Sequence, residues 1–175
     1  MEINKINKFF KKIIYKNKLN VSVIIVSHIL PDKIIFFNNL EKICNIKAII
    51  PKQTSKDQKS LKIMKKRYLV LDHIKKDDLK NKENTISMLK KIIGNEKFII
   101  LDVGGYFSFL INSISETFKN QFLGVIEDTE NGHIKYENVK NLNCPVFSVA
   151  RSPLKYSEDI LVENSAVYSA ESVLR

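Results

Sequence analysis

The chain contains no tryptophan, two cysteines, four prolines and five glycines in 175 residues, and only three of its 29 basic residues are arginines. Cys44 and Cys144 are too few for a disulfide framework and show no metal-ligand spacing, so they read as reduced, buried thiols of a cytoplasmic protein that holds no metal. The scarcity of glycine and proline excludes low-complexity and linker segments. No apolar run approaches the length of a membrane span. Residues 1–18 carry lysine throughout and lack a small-residue cleavage site, which argues against a secretory signal. Neither a G-x-G-x-x-G fingerprint nor a P-loop occurs, so a self-sufficient dinucleotide site is not expected.

What is present describes one globular domain: 44% hydrophobic and 27% charged residues, in a chain long enough for a real core. The formal charge of +10 raises nucleic acid as a partner. However, the cations are nearly all lysines spread along the chain, and the planar guanidinium groups that grip phosphate bidentately are scarce. General solvation is the expected use of the charge, with neither nucleic acid nor membrane as a partner.

Residues 1–19 form a separate unit, in which Ile3, Ile6, Phe9, Phe10, Ile13 and Ile14 recur at helical spacing among lysines. This amphipathic helix is expected to pack on the domain or on a partner subunit. Beyond it, short β-branched runs at Val21–Ser27, Ile46–Ile50, Tyr68–Asp72, Phe98–Val103, Phe122–Glu127 and Pro145–Ala150 predict strands. They alternate with helical patterns over 32–44, 56–66, 84–93, 106–118 and 131–141, and the charged stretch Lys75–Glu83 reads as a loop or irregular helix. Continuous apolar strands suit burial on both faces. The expected fold over 20–175 is therefore α/β: a three-layer, open, mostly parallel sheet of the Rossmann-like or flavodoxin-like kind, with helices on both faces.

In such sheets ligands bind beyond the carboxyl ends of the strands. His28, Asp72, Asp102 to Gly105, Glu127 to Gly132 and Arg151 to Lys155 all follow predicted strands and are expected to share one rim. His28 can hold a proton near neutral pH. Glu127, Asp128 and Thr129 suit either of two roles: capping the helix that follows, or accepting the vicinal hydroxyls of a ribose. Lys155 and Asp159 lie four apart after Pro153, a spacing that fits a surface ion pair or an amine whose pKa is lowered enough to deprotonate an alcohol.

Gly124 to His133 and Pro145 to Asp159 together resemble the N-terminal substrate-binding domain of the adenosylhomocysteinase family, as a divergent branch, with the likeness running from about Val21 to the C-terminus. The resemblance implies a nucleoside ligand such as adenosine or S-adenosylhomocysteine. By position it implies Lys155 as base at the ribose 3′-hydroxyl, Asp159 as its carboxylate partner and His28 at the elimination centre. It also implies Asp128 and Thr129, beside Glu127, as ribose-holding groups, Asp32 as an adenine contact, and Asp102 in the substrate site. Val103 stands where the family has a second Asp, Leu30 replaces a substrate-contacting Thr, and Ala150-Arg151 replaces an Asn-Asp pair. The family's NAD-binding domain has no counterpart here. NAD, and with it hydrolase activity, is expected only through a separate NAD-binding subunit, the other expected partner being a second copy in a homo-oligomer; the alternative functions are an inactive nucleoside-binding or regulatory protein and, behind it, a basic nucleic-acid-binding protein.

Overall fold

In a computed structural model the structure describes residues 18–153 together with 8, 10, 12 and 155. Five strands, β1 (Ser22–Ile29), β2 (Asn45–Lys56), β3 (Phe98–Asp102), β4 (Phe122–Glu127) and β5 (Val146–Ser148), form one sheet in the order β2-β1-β3-β4-β5. Every pairing is parallel. The helices are α1 (Lys33–Leu40), α2 (Gln58–Lys65), α3 (Lys82–Ile93), α4 (Ile111–Thr117) and α5 (Glu130–Glu137).

The central strand shows why this sequence makes three layers. Successive side chains of a strand point to opposite faces, so the apolar run of β1 feeds two cores. Val23, Ile25 and Ile29 pack with Phe37 of α1 and with Leu61 and Met64 of α2. Ile24 and Val26 pack with Leu89 and Ile93 of α3, Ile111 and Ile114 of α4 and Tyr136 of α5. At roughly 25 cal/mol per Å² of apolar surface, burial on both faces is what fixes β1 in the middle of the sheet. Polar ends delimit the helices: Asp57 accepts from the Ser60 N–H at the start of α2, Asn81 from the Asn84 N–H at the start of α3, and Gly94 ends α3 at φ 59°.

The fold class expected from sequence is the one observed, but two local expectations are corrected. The segment Tyr68–Asp72 is not a strand: it makes one bridge, Val70 to Ile49, through bonds of the Ile49 N–H to Leu69 O and the Leu71 N–H to Ile49 O. Lying outside β2 with Leu69 half exposed, it can be paired on one side only. The helix expected over 106–118 opens as a 3-10 turn, Ser108–Leu110, because the Asp102 carboxylate already holds the Phe107 N–H and fixes the entry to α4. The stretch Lys75–Glu83 is irregular, as expected, with a 3-10 turn, Asp78–Lys80, that buries Leu79 in the core.

The N-terminal helix falls largely outside the described residues. Lys8, Phe10 and Lys12 are helical, and the Phe10 ring lies 6.3 Å from that of Phe36. Asp159 also lies outside them. Among the described residues no helix is long and apolar enough to cross a membrane.

The strand order reverses between β1 and β3: the chain leaves β1 for β2 on one side and returns to β3 on the other. A crevice beyond the carboxyl ends of these two strands is where an open α/β sheet takes its ligand.

Candidate functional site at the strand tips

A cavity of about 340 Å³ opens at this crevice on the α1 side of the sheet. Ser27 of β1, Leu101 of β3 with Val103 just beyond it, Ile126 of β4 with Asp128 just beyond it, and Val149 beyond β5 form its floor, and Lys33, Phe36 and Leu40 of α1 form its wall. Its lining is apolar, with Ser27, Lys33 and Asp128 as the polar groups, which is the make-up of a small-molecule site. Three larger depressions, of about 580, 670 and 370 Å³, are lined by residues 73–88, by α3 with Thr117, and by α3 with Leu69 and Leu71. None of them includes a strand-tip residue, so the smallest cavity is the candidate site.

His28 follows Ser27 on β1, so its side chain leaves the opposite face of the strand. Its Nδ1 is bonded to the Ser55 hydroxyl. Burial, then the charges of Lys52 and Lys33, push the imidazole pKa down, with Asp128 pulling the other way. The ring is therefore neutral at pH 7 and lies within the electrostatic reach of the site's one half-buried carboxylate.

Glu127 and Asp102 are fully buried on the α5 side. Glu127 accepts from the N–H groups of Gly104 (2.8 Å), Gly105 (3.0 Å) and Thr129 (2.9 Å) and from the Thr129 hydroxyl (2.6 Å). Asp102 accepts from the N–H groups of Val103 (2.8 Å) and Phe107 (3.1 Å) and from the Tyr136 hydroxyl (2.5 Å). Burial, with the Glu127 charge beside it, pushes the Asp102 carboxyl up to about 6, against the bonds it accepts. Glycine is required at 104 and 105, where φ is 97° and 64°, for both N–H groups to converge on one carboxylate. Gly132 is required by contact, since a Cβ there would sit 2.2 Å from Glu127 Cδ.

The structure thus separates residues that the sequence groups together. Asp128, the neighbour of Glu127, lines the cavity. Thr129 caps α5, its hydroxyl accepting from the Gly132 N–H at 3.1 Å, so the capping alternative describes its observed bonds. Glu127 and Asp102 spend their oxygens on backbone and hydroxyl donors. Asp32 is exposed at the start of α1 and caps no backbone N–H. Asp72 pairs with Lys65 at 2.8 Å. Lys155 is helical and half buried, its N–H bonded to Ser152 O, one turn beyond the tip of β5. Arg151 is turned to α5, where its guanidinium bonds the carboxylates of Glu130 and Glu137.

Sequence reasoning missed Ser27, Lys33 and a lysine group around Gly104. The Lys76 and Lys135 amines both donate to Gly104 O, at 2.6 and 3.0 Å, and Lys52 Nζ would lie 3.6 Å from a Cβ at that position. Pattern could have flagged Ser27, a small polar residue ending an apolar strand, but in so lysine-rich a chain individual lysines carry no signal.

Among the described residues no cluster of His, Cys, Asp and Glu could hold a metal ion. The Gly104–Gly105 turn does not fit the pyrophosphate of a dinucleotide, because its N–H groups point at Glu127 rather than outward. Compared with models of known protein families, with curated proteins and with solved structures, the chain matches none.

Proposed function

We propose that the chain is a nucleoside-binding domain of the adenosylhomocysteinase-like type, taking an adenosine or S-adenosylhomocysteine ligand in the cavity at the β1–β3 reversal. The observation that carries this reading is Asp128, a half-buried carboxylate in an otherwise largely apolar, nucleoside-sized cavity at the position where open α/β sheets bind ligands. A carboxylate can accept both hydroxyls of a ribose, and a base can lie against Phe36, Leu40 and Leu101. Lys155 lies beyond the adjacent strand tip, whereas His28 leaves the opposite face of β1 and acts on the site through charge alone. Thr129, Glu127 and Asp102 support the site by fixing its walls.

In this reading NAD comes with a partner chain, and the activity of this chain by itself is binding. A second reading, binding without turnover even beside such a partner, is favoured by Val103, an apolar side chain in the cavity where the resemblance implies a carboxylate.

Calorimetric titration with adenosine and with S-adenosylhomocysteine, at fixed salt, tests the proposal. We expect saturable binding that Asp128→Asn weakens at least tenfold, as loss of a charge-assisted bond does. No heat with either ligand, or equal affinity in the variant, would refute it. Adding NAD and candidate partner chains then separates the two readings by product formation.

A further inference from the structure

We propose a second site on the opposite face of the sheet from the cavity: Lys52, Lys76 and Lys135 together bind a dianionic phosphoryl group over the Gly104 carbonyl. The three lysines come from distant parts of the chain, Lys52 from β2, Lys76 from the crossover after it and Lys135 from α5. Lys76 and Lys135 share the Gly104 carbonyl oxygen, and the Lys52 amine reaches the same glycine.

A convergence of cations normally has acidic side chains among it. Here, among the described residues, none of the three has a carboxylate within ion-pair distance, whereas Lys47, Lys65 and Lys80 each do. The nearest acids, Asp102 and Glu127, are sealed behind the Gly104–Gly105 turn with their oxygens engaged. They hold the turn so that its N–H groups face inward, and its Gly104 carbonyl takes the lysines. Each ammonium has three donors, and the shared carbonyl uses one from Lys76 and one from Lys135. Several N–H groups are thus left converging where a tetrahedral oxyanion can accept them.

The half-buried setting sharpens the preference. Burial, then the Lys135 charge, holds the Lys76 amine below its usual range even with Asp102 and Glu127 acting the other way, so added negative charge is favoured there. The Lys76 ammonium also sits 5.2 Å from the centre of the Tyr106 ring, which fixes its position. Lysine binds phosphate as a point charge, so no guanidinium is needed.

The test is calorimetric titration of the full chain with inorganic phosphate, adenosine 5′-monophosphate and adenosine, at constant ionic strength set with potassium chloride. Phosphate is expected to bind, and Lys76→Met/Lys135→Met to weaken it at least tenfold. Lys90→Met, an exposed lysine in the last turn of α3, should leave it unchanged. The milder Lys76→Gln, checked by its thermal melt, guards against a folding defect in the double variant. Free phosphate binding as tightly as the monophosphate identifies an oxyanion site; tighter monophosphate binding, lost in the double variant, identifies a phosphate ester as the ligand. Absence of phosphate binding above the chloride background, or equal loss in Lys90→Met, overturns the proposal. Adenosine binding that depends on Asp128 is a separate readout, so either site can fail while the other stands.

Discussion

Two acids one residue apart at the tip of β4 have opposite surroundings. Glu127 is wholly buried on the α5 side and meets four donors, while Asp128 is half buried in the cavity on the α1 side. The pleat sends neighbours to opposite faces, so the same chemical group becomes a fastener on one side and an available ligand contact on the other. Burial with full hydrogen bonding marks a group whose loss unfolds the protein. Partial exposure in an apolar hollow marks one whose loss should affect binding first.

The largest expected effect therefore lies at Glu127. Glu127→Ala leaves the N–H groups of Gly104, Gly105 and Thr129 without their acceptor in the interior. We expect a loss of about 3–5 kcal/mol in urea unfolding, as for other broken buried charge networks. Gly132→Ala attacks the same contact from the other side, through overpacking against Glu127, at about 1–3 kcal/mol. A cost below about 0.5 kcal/mol for both would erase the distinction between the two acids.

Next in size is a pH effect at Asp102. Its carboxyl is pushed up to about 6 from an ordinary value of 3.8, so between these limits the native state binds more protons than the unfolded chain. Stability from this group is greatest below about pH 4, falls as pH rises through 6, and its full cost is present above that. The size is on the order of 3 kcal/mol. His28, whose pKa is lowered from 6.5, acts oppositely: the unfolded chain protonates first, and stability is lost as pH falls below 6.5. Glu96, Glu130 and Glu137, whose pKa values are lowered, lose their contributions only at more acidic pH. Urea unfolding at pH 5, 6 and 7 should therefore show Asp102→Asn losing less stability than the wild type as pH rises. Parallel curves for the two proteins would show that Asp102 keeps its ordinary pKa.

Much of this architecture can be read from the chain, and the reason is physical. The runs in β1, β3 and β4 are apolar at consecutive positions because both faces are buried, and a pattern that depends on burial survives in sequence. The segment Tyr68–Asp72 shares the composition but lies outside β2, and edge position is a property of the assembled sheet rather than of the residues. Among the acids, the sequence places Glu127, Asp128 and Thr129 at one strand end without saying which faces which core. That depends on the register of β4 against β3, where a bulge lies between Phe98 and Ile99 of the pairing. The lysine group around Gly104 joins residues from β2, the crossover after it and α5, and has no local signature at all.

The smallest expected stability effect, at Asp128, discriminates most sharply between the two regions. Among the described residues the Asp128 side chain makes no hydrogen bond and no ion pair; the residue is bonded through its backbone, from its N–H to Asp102 O. Asp128→Asn keeps the shape and that backbone bond, so unfolding should change by no more than about 0.5 kcal/mol. A loss of 2 kcal/mol or more would place Asp128 with Glu127 as a structural carboxylate and remove the argument for a ribose contact. An unchanged melt combined with lost adenosine binding separates the roles of adjacent residues in one variant.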